Sequence, residues 1–432
     1  MTPGQIHPKR EDLLHYIWLN QKFNKANLTT EEGLALIVFN QGYHNHDSGP
    51  DFKEARIKID GISWNGHVEI HIRSSDWLRH GHEKNPVYDD VILHVVWTND
   101  KTIKRTDGTI IPTLALSDRT DPGLIERHQS LTDNLSAVPC AQSLNKVNNI
   151  TRYGMLDRVA VERLQEKATR IRGFMDETKS DWEETTYRLL CRNFGFNKNT
   201  QPFESLARTL PLNILRKYKE NQFQLEALLF GQSGFLNNRI NDSYFQALKK
   251  EYLYLAHKHV LSQSVVFETW KFNRLRPANF PTLRMAQLAA IFHDSYQLFH
   301  RMVYSENILD IKALLSKTVS SYWQHHYNFG KKTESKTGNM GMQSVEILII
   351  NTVIPLQVAF GHSIGNLNFT DKALAFLQQL PPEKNKIIHH WKSLGVVVNN
   401  AFDTQALLQL YNHYCKSKKC LSCLIGHSIL TN

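Results

Sequence analysis

The stretch DSGPDFKEARIKIDGISWNGHVEIHIRSSDWLRHGHEKNPVYDDVILHVV, residues 47–96, decides the fold. Side chains on a strand alternate between faces, so within HVEIHI the residues His67, Glu69 and His71 share one face, and Val68, Ile70 and Ile72 share the other. One face suits a core and the other suits polar chemistry. Gly49-Pro50-Asp51 opens a preceding strand in which Ala55, Ile57 and Ile59 alternate with charges, while Asp60-Gly61 and Asn65-Gly66 are turn signals. Asp51 and Glu69 then sit on neighbouring strands, which is how a small oxygen-rich site for a hard divalent cation is made. Ser74-Ser75-Asp76 offers an N-cap for a short helix carrying Trp77 and His80, and Val91–Trp97 has the continuous apolar pattern of a strand covered on both faces.

Working outward, residues 11–22 space Leu13, Leu14, Ile17 and Trp18 as an amphipathic helix, residues 34–39 are a short apolar run that fits a buried strand or a helix turn, and residues 109–116 read as a further strand. Residues 117–138 read as a polar connection. From about residue 150 helical patterns dominate: RYGMLDRVAVERLQEKATRI, then 181–194, 221–236, 243–262, 282–303, 308–327, 343–360, 371–380, 385–395 and 402–414. FGQSGF (230–235), RPANFP (276–281) and NFGKKTESKTGN (328–339) are breaks, the last expected to be the most mobile. These patterns predict an α+β chain: a mixed-sheet domain over residues 1–135 and a larger all-helical domain over residues 136–432.

The first domain resembles the PD-(D/E)XK nuclease superfamily, whose members hold one or two magnesium ions with an aspartate after a proline and an acid two positions before a lysine on the next strand. The resemblance implies Asp51 and Glu69 as magnesium or manganese ligands, with the carbonyl of Ile70 as a further contact. His71 stands where the lysine stands, and a histidine orients or protonates water rather than carrying a fixed charge. The whole chain also resembles an uncharacterised bacterial family, domain-of-unknown-function family 2851. The motifs are GPDF (49–52), VEIH (68–71), SSDW (74–77), HGH (80–82), VILHVV (91–96), RPANFP and CLSC (420–423).

Two readings of the acids compete: a metal site, or a turn cap at Asp51 with a surface cross-strand pair at Glu69. His80 is expected as a supporting ligand or proton donor, His67 and His82 carry weaker signals, and His94 reads as a satisfied core histidine. Histidines with carboxylates also suit zinc or iron in another kind of hydrolase. Cys415, Cys420 and Cys423 lie close in sequence, and C-x-x-C lets two thiolates grip one metal. Cys140 is the first choice for a fourth ligand, ahead of His427 or His413. Four cysteines fit zinc or a [4Fe–4S] cluster. The layout resembles the iron–sulfur RecB-type nucleases, although there the lone cysteine precedes the nuclease motif and Cys140 follows it. Cys191 reads as core.

Lysine and arginine number 51 against 41 aspartates and glutamates, giving +10 and a pI near 9.2. That balance favours a polyanionic partner, DNA or RNA. Arg274, Arg276 and Arg284, interleaved with Phe272 and Phe280 before a helix N-terminus, are the candidate nucleic-acid contacts. With 41% hydrophobic and 21% charged residues the chain is globular. The N-terminus has no apolar secretory run, and residues 347–360 are interrupted by Asn351 and Pro355 and too short to span a bilayer. The expectation is a cytoplasmic protein without a membrane partner. The sequence thus points to a metal-dependent nuclease, with a non-catalytic nucleic-acid or protein-binding scaffold as the alternative.

Overall fold

The computed structural model describes residues 7–261, 264–293, 297–334 and 338–431. The chain forms two compact units, one of Met1–Met155 with Leu410–Asn432 and one of Leu156–Gln409. It is an α+β protein, with a mixed sheet in the first unit and helices dominating the second.

The first unit opens with helix α1 (Glu11–Leu19), whose Leu13, Leu14, Ile17 and Trp18 are buried as their spacing predicts. The sheet follows with β1 (Leu36–Asn40), β2 (Tyr43–His44), β3 (Phe52–Ile59), β4 (Ile62–Arg73), β5 (Val91–Thr98) and β6 (Thr113–Ala115), in the order β1-β3-β4-β5-β6 with β2 paired to β3. β3 and β4 are antiparallel, and β5 runs parallel to β4 and to β6. Asp60 and Gly61 make the β3–β4 turn, both at positive φ (45° and 84°), as a two-residue turn matching strand twist requires. The short helix α2 (Asp76–Arg79) lies in the crossover to β5. Seven of the eight β5 residues are buried, the pattern its composition predicts.

Asn65-Gly66 is not a turn. Both residues lie inside the continuous β4, where a Cβ on Gly66 would come within 2.5 Å of Ile92 Cγ2 and 2.7 Å of the Asp90 carbonyl oxygen. The glycine serves the close approach of neighbouring backbone rather than chain reversal. Residues 117–138 also differ from expectation, because helix α3 (Pro122–Thr132) forms there. Its start is set by Asp121, whose carboxylate accepts from the Gly123 amide at 2.9 Å, and by Pro122 in the first turn.

In the second unit most of the expected helices form with adjusted ends, the pattern over 282–303 divides into Pro281–Phe292 and Leu298–Tyr304, and Thr200–Thr209 adds a helix that the sequence reading missed. The pattern over 308–327 resolves into a helix at Ile308–Leu315 and the start of a two-stranded hairpin, His326–Asn328 with Lys331–Lys332. Part of the loop expected to be most mobile, residues 335–337, lies outside the described residues. The helical run Met342–Ser363 is 22 residues, long and apolar enough by length and composition to cross a membrane, yet 72% of its most apolar window is buried. Ile349, Leu356 and Val358 pack into the main core of this unit, as a core helix does. Pro355 cannot donate to the carbonyl of Asn351 four residues earlier, and the backbone widens into a π turn over Ile349–Val353. That carbonyl accepts instead from Asn193 Nδ2 at 2.8 Å.

The same core encloses Glu226, which accepts from Tyr244 Oη at 2.5 Å and Trp323 Nε1 at 2.9 Å. Burial raises its pKa to about 7, although these donors pull the other way. A raised carboxyl contributes stability that is intact below the ordinary value of 4.5 and is lost as pH rises through about 7. Glu226→Gln is therefore expected to melt higher than the wild type above pH 7, by roughly 2 kcal/mol, with the gap closing towards pH 4.5 in thermal melts across pH. Gly66→Ala should cost about 1–3 kcal/mol in denaturant unfolding, because β5 has no room to give.

Candidate metal centre

Asp51 stands one residue before β3 and Glu69 on the inward polar face of β4. The two are locked reciprocally: the Asp51 amide donates to Glu69 Oε2 at 3.0 Å, and the Ile70 amide donates to Asp51 Oδ2 at 3.0 Å. A bulge helps to aim them. The β3–β4 register slips between Phe52 and Ala55, and Glu54 there adopts a left-handed backbone (φ 60°).

Imidazoles surround the pair. His82 Nε2 is 3.2 Å from Glu69 Oε1 and His71 Nε2 is 3.7 Å from the same oxygen. From the other side His15 Nε2, carried by α1, reaches Asp51 Oδ2 at 3.3 Å. Single ligand atoms of His71, His80 and His82 all lie within 4.8 Å of one another. His80 and His82 come from the turn after α2, which Gly81 permits at φ 75°. Trp77 forms the wall behind them, edge-on to the rings of His82 and His94 at 5.3 Å, and His82 also stacks on Tyr88 at 3.8 Å.

His71 is the centre of an imidazole chain, with Nδ1 at 2.8 Å from His94 Nε2 and Nε2 at 3.0 Å from His80 Nδ1. Among the described residues, none bonds to the buried His94 Nδ1. An orphaned N–H costs more than an orphaned lone pair, so the proton belongs on His94 Nε2, donated to His71 Nδ1. His71 then carries its own proton on Nε2, directed at His80 or Glu69. Burial, then the neighbouring histidines, lowers His71 to a pKa of about 2, and burial lowers His94 to about 3, so both rings are neutral. Glu69 is shifted up by burial and by Asp51, with His82 opposing. Burial depresses His15, but the Asp51, Glu11 and Glu69 charges outweigh it and leave its pKa raised. Two adjacent carboxylates, one buried, are what a bound cation would compensate.

Asp51, Glu69, His71 and His80 are therefore brought together. His82 and His94, given weaker or purely structural readings in the sequence, join them, and His15 and Glu11 arrive on α1 unannounced by any local motif. Among the arginines, Arg274 and Arg276 are exposed. Arg284 is turned inward at 3% exposure, donating to Gln287 Oε1, Asn279 Oδ1 and Ser344 Oγ and lying over the Phe196 ring at 4.4 Å. Its guanidinium is committed to the core. Phe272 and Phe280 are half-buried and pack on each other at 5.3 Å.

The cysteines gather elsewhere in the same unit. Cys140, Cys415, Cys420 and Cys423 are buried, none is in a disulfide, and all four line one pocket with Pro139, Lys419 and Gly426. Burial, then the neighbouring Cys423 and Cys420, pushes Cys140 up to about 12, and burial with Cys423 pushes Cys420 up to about 11. Cys191 is buried in the helix Trp182–Phe194 of the second unit, as its apolar context predicts.

No curated protein and no solved structure matches this chain. If the acids and imidazoles hold an ion, titration with Mn2+ or Zn2+ will raise the melting temperature, by about 2.7 kcal/mol at a free ion concentration 100 times Kd. His80 is exposed, so His80→Ala should leave the metal-free melting point within about 0.5 kcal/mol of the wild type while shrinking the metal-dependent rise. An unchanged rise would remove His80 from the ligand set. A family model described as protein of unknown function, DUF2851, matches residues 11–386, and the chain belongs to that family.

Proposed function

We propose that the protein is a metal-dependent hydrolase of phosphodiester bonds in DNA or RNA. The observation that carries this reading is the convergence of Asp51 and Glu69, on adjoining strands, with His71, His80 and His82. The antiparallel β3–β4 pair and the crossover from β4 to a parallel β5 support it, since they are the setting that the PD-(D/E)XK resemblance implies. The net charge of +10 favours a polyanionic substrate.

Asp51 and Glu69 would bind a divalent ion through the oxygens not held by main-chain amides, with His82 and His80 as nitrogen donors. Mixed carboxylate and imidazole donors suit manganese better than magnesium. Such an ion supplies a water of lowered pKa and offsets charge on the phosphate. His71, fixed by His94 and neutral, orients the site through its Nε2–H. Where His82 alone supplies the nitrogen donor, His80, exposed and linked to His71, is placed instead to return a proton to the leaving oxygen as the P–O bond breaks.

One observation favours the scaffold reading: each carboxylate already satisfies a main-chain amide, as an architectural pair does. Incubation with labelled single- and double-stranded DNA and RNA separates the two. The hydrolase reading expects cleavage supported by Mn2+, stopped by EDTA, and reduced at least about 100-fold in Asp51→Asn and Glu69→Gln variants of unchanged circular dichroism. Binding without cutting, for every substrate and ion, would leave the scaffold.

A further inference from the structure

The second unit carries a cleft of about 670 Å³, built wholly from its own residues and separate from the acids and imidazoles of the first unit. That volume is within the ordinary range of small-molecule sites. Arg163 and Arg170 of the helix Asn149–Glu177 line it, together with Arg192 of Trp182–Phe194, Asn351 of the π turn and Glu383.

Cations crowd this cleft. Arg163, Lys167 and Arg170 follow one another along one face of their helix, at i, i+4 and i+7. Burial, then the charges of Arg163 and Arg170, lowers Lys167 to a pKa of about 7, with Glu383 opposing. Neutral oxygens hold the inner two: Gln405 Oε1 accepts from Arg163 Nε at 2.6 Å and from Lys167 Nζ at 2.7 Å, and Asn351 Oδ1 accepts from Lys167 Nζ at 3.0 Å. The acids lining the cleft are engaged, Glu346 by Lys312 at 3.4 Å and Glu383 by the Gln405 amide, and Arg192 is paired with Glu204. Arg170 is exposed. Like charges gathered in a partly buried place are costly until an anion joins them.

Two backbone features shape the same cleft. The π turn Ile349–Val353 frees the carbonyl of Ile350 to accept from Lys167 Nζ at 3.4 Å, and such turns often mark functional sites. Phe196 also lines the cleft, and it is a bulky residue held in left-handed backbone (φ 46°), with the Arg284 guanidinium over its ring at 4.4 Å. Strain of that kind persists where the surrounding structure imposes it, and it gathers at ligand sites. We propose that the cleft binds a nucleoside phosphate, with its phosphate on Arg163 and Arg170 and its base against the Phe196 ring. Guanidinium forks match phosphate oxygens, and an aromatic ring stacks on any base. The ligand is a free nucleotide or the phosphorylated end of a strand, and the site stands whether or not the acids of the first unit cut nucleic acid.

Equilibrium binding to the full-length protein in EDTA, where no ion serves the acids of the first unit, tests this. AMP or a 5′-phosphorylated pentanucleotide should bind, and ribose 5-phosphate and inorganic phosphate should bind at least about tenfold more weakly for want of a base. Tighter binding of the pentanucleotide than of AMP would identify a strand end as the ligand, and weaker binding a free nucleotide. Arg170→Ala, at an exposed position, should keep the melting temperature and weaken the better ligand at least about tenfold. Binding of neither AMP nor the pentanucleotide, equal affinity for inorganic phosphate, or unchanged affinity in Arg170→Ala would overturn the proposal. The comparison of AMP with ribose 5-phosphate decides the matter even if Arg170→Ala does not fold.

Discussion

The structure of the site depends on a reciprocal clamp between two strands. Asp51 uses its amide to hold Glu69, and its carboxylate to hold the amide of Ile70 next to Glu69. Hydrogen bonds to charged groups contribute about 1.5–3 kcal/mol each, which offsets the cost of keeping two carboxylates side by side with one of them buried. The clamp fixes the register where β3 would otherwise be loosest, at its bulge. It also sets the floor onto which the turn after α2 lowers His80 and His82, with Trp77 behind. Without the clamp Glu69 would be a buried acid with no main-chain amide to hold it.

Much of this was legible because it follows from short periods. Alternation placed Glu69 and His71 on one face of β4, Asp60-Gly61 marked the hairpin turn, and the β-branched run of β5 announced a strand covered on both sides. The failures share a cause: a local signal with two physical uses. Gly66 follows an asparagine as a turn glycine does, yet it is there because Ile92 and Asp90 press against it. Arg284 sits in a basic, aromatic stretch and reads as a nucleic-acid contact, yet amide and hydroxyl oxygens from across its own unit absorb it. His15 reaches Asp51 from a helix whose pattern speaks only of packing, and no spacing rule reports a contact made in three dimensions. His94 illustrates the reverse: its apolar strand marks it as a core histidine, and it is one, but its ring also sets the proton on His71.

The cysteines show how chain topology matters as much as motif. C-x-x-C alone proposes a metal without choosing one. The first unit is made of two segments separated by the whole of the second, so the C-terminal segment must be held to the first by contacts rather than by chain continuity. Arg127 and Lys418 bond across that junction within the unit, and the sulfur pocket is lined from both segments. A closed set of thiols would differ in kind from the acids and imidazoles, whose proposed chemistry requires an open coordination position.

In the proposed site the acids and imidazoles together enclose one ion. Anomalous diffraction from crystals grown with manganese measures this directly. Expected is a manganese peak at bonding distance from carboxylate oxygens of Asp51 and Glu69 and from at least one imidazole of His80 or His82. A map in which Glu69 keeps its contact with His82 and no peak lies beside it, at saturating manganese, would contradict it.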